Sequence, residues 1–110
     1  MPHAELCYSA DLSLDPAQTL ARIEEVLQAH DAGSGECKGR AYPAEVFHHT
    51  HFIARISLLA KPHRAAAFIA ALSADLETAS KACIPEPCLF TLDISFSSQI
   101  YVTGRHEGAG

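Results

Sequence analysis

The sequence predicts an α+β fold in which two helices cover one face of a single mixed β-sheet. Short runs of alternating apolar and polar residues indicate half-buried strands, and two longer stretches carry apolar residues at helical spacing. Their order is strand, helix, strand, and then strand, helix, strand again, which is a duplicated β-α-β unit in pattern although not in residue identity. The length of 110 residues suits a single domain, residues 1–110, with one core.

The first unit is predicted to contain a strand at His3–Tyr8, a helix from Asp15 to the glycines at 33 and 35, and a second strand at Glu36–Phe47. Asp15 suits the N-cap of the helix and Pro16 its first position. Gly33 and Gly35 are expected to end that helix. Pro43 is expected to bend the second strand, which suits a strand at a sheet edge.

The second unit is predicted to contain a strand at Phe52–Leu59, a helix from near Pro62 that stops before Pro85, and a strand at Phe90–Phe96. The apolar stripe of the helix consists of Ala65, Phe68, Ile69, Leu72, Leu76 and Ala79. Both faces of the strand at Phe52–Leu59 are largely apolar, which favours a central position in a covered sheet. Ile100–Val102 is expected to be a short edge segment.

Arg55 interrupts the apolar pattern of its strand. A charged residue there must either pair with a carboxylate or lie at a subunit boundary. The strands offer carboxylate partners at Glu5, Glu45 and Asp93. We therefore favour a structural ion pair over a role in substrate binding.

Composition limits the classes of partner. Thirteen acidic and eight basic side chains give a formal charge of −5, which argues against nucleic acid or an anionic membrane surface. No apolar run is long enough to span a membrane, and the start lacks a secretory pattern, so we expect a cytoplasmic protein with four reduced cysteines. A single layer of helices leaves the other sheet face bare, so we expect a second subunit to cover it.

The start of the chain, Met1-Pro2-His3, is its most unusual local feature. Methionine before a small residue such as proline is normally removed in cells. Pro2 would then carry a free secondary amine at the start of a strand, and an amine, unlike an amide nitrogen, is a base. The alternative is that the proline only sets the path by which the chain enters the strand.

Together with the duplicated pattern and the length, this start resembles the tautomerase superfamily, and within it the 5-carboxymethyl-2-hydroxymuconate isomerases. The resemblance covers nearly the whole chain and includes Pro2-His3, Cys7, Ser9, the segment Gly35 to Arg40 and the passage from Phe52 to Arg64. It implies a tautomerase-like fold, a homotrimer and an enzyme of aromatic catabolism without a cofactor. It also implies that the amino-terminal proline moves a proton between carbon atoms of an unsaturated 2-oxo or 2-hydroxy dicarboxylate.

By the same resemblance, the substrate-binding cations are Lys38, Arg40 and Arg64. Lys38 stands where arginine is expected, so it keeps the charge and lacks the planar fork that clamps a carboxylate. Arg64 is expected in the first turn of the second helix, where free backbone N–H groups would favour an anion.

Two alternatives remain open. The first is a non-catalytic trimer of the same fold that serves as a small-molecule binding or structural module. The second is a metal site in the loop that contains His48, His49 and His51. In an extended segment His49 and His51 face the same way, but two imidazoles are no metal site without a third ligand, so we expect a surface loop and no bound metal.

Overall fold

The computed structural model describes residues Met1–Gly110. Its elements in chain order are β1 (His3–Ser9), α1 (Pro16–His30), a 3₁₀ turn (Ala32–Ser34), β2 (Lys38–Ala44), β3 (His51–Leu58), α2 (Ala66–Ala82) and β4 (Leu89–Phe96). The strands form one sheet in the order β2-β1-β3-β4. β1 pairs with β2 in parallel, β3 pairs with β4 in parallel, and the two central strands are antiparallel. The predicted α+β fold, with its duplicated β-α-β unit and mixed sheet, is confirmed.

Strand alternation places the core between the sheet and the two helices. Alternate residues of β1 and β3 are buried, and they pack with buried residues of α1 and α2: Ala4, Leu6, Tyr8, Phe52, Ala54, Ile56, Leu58, Ile23, Val26, Leu27, Leu72, Leu76 and Ala79. Gly39 in β2 lies close under α1, because a Cβ atom there would stand 2.9 Å from Leu20 Cδ2. A larger residue at this position would require the end of the Leu20 side chain to shift.

The helix ends differ from the prediction. α1 begins at Pro16 as expected, with Asp15 as N-cap accepting a hydrogen bond from Gln18 N, but it ends at His30 and not at the glycines. Asp31 stops it by adopting an extended conformation. α2 begins at Ala66, after Pro62, and has no side-chain cap.

The predicted edge segment at Ile100–Val102 is not a strand. Ile100 and Val102 are 91% and 96% exposed, while Tyr101 between them is partly buried. No helix of the structure is long and apolar enough to cross a membrane.

The sheet face opposite the helices is more polar than expected. Strand register places Arg40, Glu5, Arg55 and Asp93 side by side across all four strands, so charges of alternating sign cross this face. We call these four residues the charged row. Cys7 lies partly buried on this open face, next to Ile53.

Candidate active site

Pro2 is buried at the amino end of β1. Its carbonyl oxygen accepts a hydrogen bond from Lys38 N at 2.9 Å, which ties the start of the chain to the edge strand β2. While Met1 is attached, the Pro2 nitrogen is a tertiary amide and has no lone pair available for a proton. The position is fixed and desolvated, as a terminal base requires, and only removal of Met1 makes it basic.

Positive charge surrounds this end of the strand. Burial lowers the pKa of the Met1 α-amino group below its usual value, and Lys38, Lys61 and Arg64 lower it further. Lys61 was not among the residues predicted from the sequence, because nothing in the loop before α2 distinguishes it from a surface lysine. Three cations therefore act on the amine at the start of the chain, one residue before Pro2.

Lys38 and Arg40 both project from the open face of β2, since they are two residues apart on one strand. Lys38 Nζ donates to Thr103 Oγ1 at 3.2 Å and lies 6.0 Å from the centre of the Tyr101 ring. Arg40 Nη2 lies 3.3 Å from Glu5 Oε2, and both side chains are about two-fifths exposed (42% and 40%). Such an exposed pair is weak, so a carboxylate ligand can compete for Arg40.

Arg64 is placed differently from the prediction. It precedes α2 and does not lie in the first turn, so free N–H groups of that helix do not flank it. Its side chain is only 3% exposed. The Nε and Nη2 atoms donate to Asp31 Oδ2 at 3.1 and 2.8 Å, and Nη1 donates to the Leu59 carbonyl at 2.7 Å. These three bonds leave two of its five N–H groups unused.

Asp31 joins the loop before α2 to the end of α1. It also accepts from His63 Nε2 at 2.8 Å and from the Gly33 amide at 3.1 Å. Hydrogen bonds from His63 and Arg64 hold the pKa of this carboxyl far below its usual range. Asp31 therefore neutralises much of the charge of Arg64, which makes Arg64 a structural residue in the single chain.

Tyr101 reaches the site from the carboxyl-terminal part of the chain, and no motif in the sequence indicates this. Its hydroxyl donates to the Met1 carbonyl oxygen at 3.2 Å and lies 2.8 Å from His3 Nε2. His3 lies beside Tyr101 at the start of β1. Burial, followed by Lys38 and Arg40, lowers the pKa of His3, so its ring is neutral at pH 7.

The other candidate residues lie apart from this site. Arg55 stands in register between Glu5 and Asp93, but it makes no ion pair in the single chain. The rings of His48 and His49 are 4.0 Å apart, and His51 Nδ1 contacts the His49 carbonyl oxygen at 2.9 Å. No group of three metal-ligating side chains converges in this loop.

The surroundings of Pro2 are not closed by one chain. The largest cavity, about 390 Å³, lies between α1 and α2 and contains none of the candidate residues. A second cavity, beside β4, contains none of them either. The candidate site thus lies outside both cavities, at the end of the sheet where β1 begins, with Lys38 and Arg40 exposed.

Comparison with known proteins agrees with this fold. No family model matches the sequence, and no curated protein matches it in sequence. Among solved structures, a 5-carboxymethyl-2-hydroxymuconate delta-isomerase superposes with a TM-score of 0.73 and 18% identity, covering 96% of this chain and 89% of the other. A 5-carboxymethyl-2-hydroxymuconate isomerase from Deinococcus radiodurans R1 superposes with a TM-score of 0.63 and 19% identity, covering 96% of this chain and 90% of the other. The chain therefore has the fold of these isomerases, which confirms at the level of fold the resemblance seen in the sequence.

Proposed function

We propose that the protein is a tautomerase that moves a proton between carbon atoms of an unsaturated 2-oxo or 2-hydroxy dicarboxylate. Pro2 is the general base once Met1 has been removed. One observation carries the proposal: Pro2 is buried at the start of β1, directly after the Met1 α-amino group, whose pKa is lowered by burial and by the cations Lys38, Lys61 and Arg64. A base with a lowered pKa is unprotonated near neutral pH, as proton abstraction requires.

In the proposed reaction, the Pro2 nitrogen takes a proton from a carbon atom next to the unsaturated 2-oxo group. The electron pair of the broken C–H bond moves into the conjugated system and forms a dienolate. The protonated Pro2 then returns the proton to another carbon of the same system, so the product is an isomer. No cofactor enters this scheme.

Lys38 and Arg40 are the proposed carboxylate-binding cations, since both project from the open face of β2 and only a weak, exposed pair engages Arg40. Arg64 is the third. It lies close enough to lower the pKa of the terminal amine, and two of its N–H groups are unused. Its partial neutralisation by Asp31 makes it the weakest of the three assignments.

The proposed assembly is a homotrimer in the cytoplasm. The open sheet face and the open surroundings of Pro2 both support a site completed by neighbouring subunits. A small-molecule dicarboxylate is the proposed ligand, and neither nucleic acid nor a membrane is part of the proposal.

Intact mass and turnover together test the base. We expect the native protein to lack Met1 and to isomerise 2-hydroxymuconate, an unsaturated 2-hydroxy dicarboxylate, followed by the change in ultraviolet absorbance. A form with an extra glycine between Met1 and Pro2 keeps the Pro2 nitrogen as an amide. It should lose about 10²- to 10⁴-fold in kcat, the usual contribution of a general base. Pro2→Ala should lose most of the activity, because its primary amine is differently placed.

The control is Pro43→Ala, which changes an exposed proline of the edge strand β2, outside the proposed site. It should leave turnover unchanged. Equal turnover in the glycine-extended and processed forms would exclude Pro2 as the base.

The second candidate function is a non-catalytic binding module of the same fold. The hydrogen bond from Tyr101 to the Met1 carbonyl favours it, because a retained Met1 is well accommodated. Quantitative retention of Met1 in the native protein, with dicarboxylate binding and no turnover, would support the module over the enzyme.

A further inference from the structure

Residues 97–103, which we call the C-terminal strap, lead from β4 back to the start of β1. The strand pairing brings the carboxyl ends of β3 and β4 to the same end of the sheet as the amino ends of β1 and β2. The strap runs across that end of the sheet, held at its first residue by Ser97 N and Leu58 O at 2.7 Å and at its last by Lys38 and Thr103. Tyr101 is the strap residue that reaches Met1 and His3.

The protons of these hydrogen bonds can be assigned by counting donors. A tyrosine hydroxyl has one hydrogen, and here it is given to the Met1 carbonyl oxygen. In the hydrogen bond between Tyr101 Oη and His3 Nε2, at 2.8 Å, the histidine must then supply the hydrogen. His3 Nε2–H thus donates to Tyr101, and Tyr101 donates to a carbonyl oxygen.

That carbonyl oxygen is next to the proposed base. The Met1 oxygen is separated from the Pro2 nitrogen by one C=O and one C–N bond, so Tyr101 Oη lies within about 6 Å of that nitrogen. Removal of Met1 frees the Pro2 amine and takes away the acceptor of the Tyr101 hydroxyl in the same step. The hydroxyl is then left beside a new amine with its hydrogen unused.

We propose that Tyr101 is a catalytic residue whose hydroxyl donates a hydrogen bond to the 2-oxo oxygen of the substrate, with His3 as its positioning residue. The substrate oxygen takes the hydroxyl hydrogen that the Met1 carbonyl accepts here, but it lies at a non-bonded distance from the Pro2 nitrogen. This inference rests on the proposed function, because it assigns the oxygen-binding group of the same site. A donor directed at this oxygen becomes more valuable as the oxygen gains negative charge in the dienolate.

A pair of unreactive ligands tests the assignment without turnover. 2-Oxoadipate has the 2-oxo group and adipate lacks it, while both have two carboxylates at similar spacing. We expect the form lacking Met1 to bind 2-oxoadipate more tightly than adipate in isothermal titration calorimetry. Tyr101→Phe should weaken the binding of 2-oxoadipate about 3- to 10-fold, the contribution of one neutral hydrogen bond, and leave the affinity for adipate unchanged.

The matched control is Tyr42→Phe, which removes a hydroxyl from an exposed residue on the open face of β2. It should change neither affinity. The glycine-extended form provides a second measurement that needs no substitution at Tyr101. An acceptor carbonyl stays in front of the hydroxyl there, so its preference for 2-oxoadipate should disappear.

His3 is tested through the same preference. His3→Leu removes the N–H group that orients Tyr101, so it should weaken 2-oxoadipate selectively. His3→Gln offers an N–H group again and should restore part of the difference. A merely structural role of His3 would weaken both ligands alike, and that result would overturn its assignment.

Turnover separates the two proposals. We expect kcat of Tyr101→Phe to fall about 10²-fold, as for the loss of one donor to a developing oxyanion. If the wild type turns over and Tyr101→Phe matches it in both kcat and 2-oxoadipate affinity, the role of Tyr101 is wrong and the tautomerase assignment stands. If no form turns over but Tyr101 still sets the preference for the 2-oxo ligand, the tautomerase assignment is wrong and the oxygen site stands. Equal binding of the two ligands by the processed wild type overturns the oxygen site.

Discussion

Arg40 and Arg22 are two arginines in exposed ion pairs, and only one of them lies beside the proposed site. Arg40 pairs with Glu5 on the open sheet face, while Arg22 pairs with Glu25 on α1 at 3.0 Å. Both pairs contribute little to folding, because their charges are solvated and screened. They therefore separate a binding role from a general effect of removing a surface cation.

We predict that Arg40→Ala lowers kcat/KM for a dicarboxylate substrate about ten- to a hundredfold, the worth of one charge-assisted hydrogen bond. Its melting temperature should stay close to that of the wild type. Arg22→Ala is the control and should change neither quantity. Equal kcat/KM in Arg40→Ala and the wild type would place the carboxylate site elsewhere.

The family resemblance, and no periodic pattern, singled out Lys38 and Arg40 in the sequence, while Pro2 stood out by its place at the start of the chain. Neither signal could reveal Tyr101, because 98 residues separate it from His3 and the stretch around it has no periodic pattern. Long-range contacts made by irregular segments leave no local signal in a sequence.

The ends of the helices depend on one carboxylate that the sequence did not single out. Asp31 closes α1, begins the 3₁₀ turn and binds the buried guanidinium of Arg64. Glycines are common helix terminators, so Gly33 and Gly35 looked sufficient. Tertiary contacts between Asp31 and the loop before α2 ended the helix earlier than local preference indicates.

We predict that Asp31→Asn lowers the free energy of unfolding by about 3 kcal/mol at pH 7, because it leaves Arg64 buried without a counter-charge. Urea unfolding measures the change. The control is Asp75→Asn, which alters an exposed carboxylate paired with His30 at 2.6 Å and should cost much less.

The pair of Asp31 with Arg64 has a defined pH dependence. The pKa of Asp31 is lowered by folding, so its stabilisation is complete above the unfolded value of 3.8 and is lost as the pH falls through the folded value. The difference between wild type and Asp31→Asn should therefore shrink as the pH falls below about 4. A difference that grew below this pH would contradict the ion pair.

The charged row crosses the whole open face of the sheet. Arg55 lies inside the row, flanked in register by Glu5 and Asp93, yet it forms an ion pair with neither carboxylate in the single chain. Packing a second subunit onto this face would desolvate the row and bring opposite charges together. The second subunit expected from the sequence would therefore meet a polar face.

We predict a trimer, seen as a mass of about three chains in sedimentation equilibrium at micromolar concentration. Arg55→Ala should shift the equilibrium towards single chains, because it leaves carboxylates of the row uncompensated in the interface. Arg105→Ala, in the exposed tail, is the control and should leave the mass unchanged. A stable monomer of the wild type would exclude the trimer and any site shared between subunits.

The central antiparallel pairing of β1 with β3 also has a consequence for how the chain folds. Each β-α-β half supplies only two strands and one helix, and two strands alone are marginal in water. Neither half can bury its apolar face until the other docks, so the repeated pattern does not divide the chain into independent folding units. The junction also pairs residues far apart in sequence, from Tyr8 with Phe52 to His3 with Ser57. Loop closure must precede those contacts, so folding should be cooperative and slower than in helical proteins of this length. The strap can dock only after the junction has formed, which makes the contact between His3 and Tyr101 one of the last to appear.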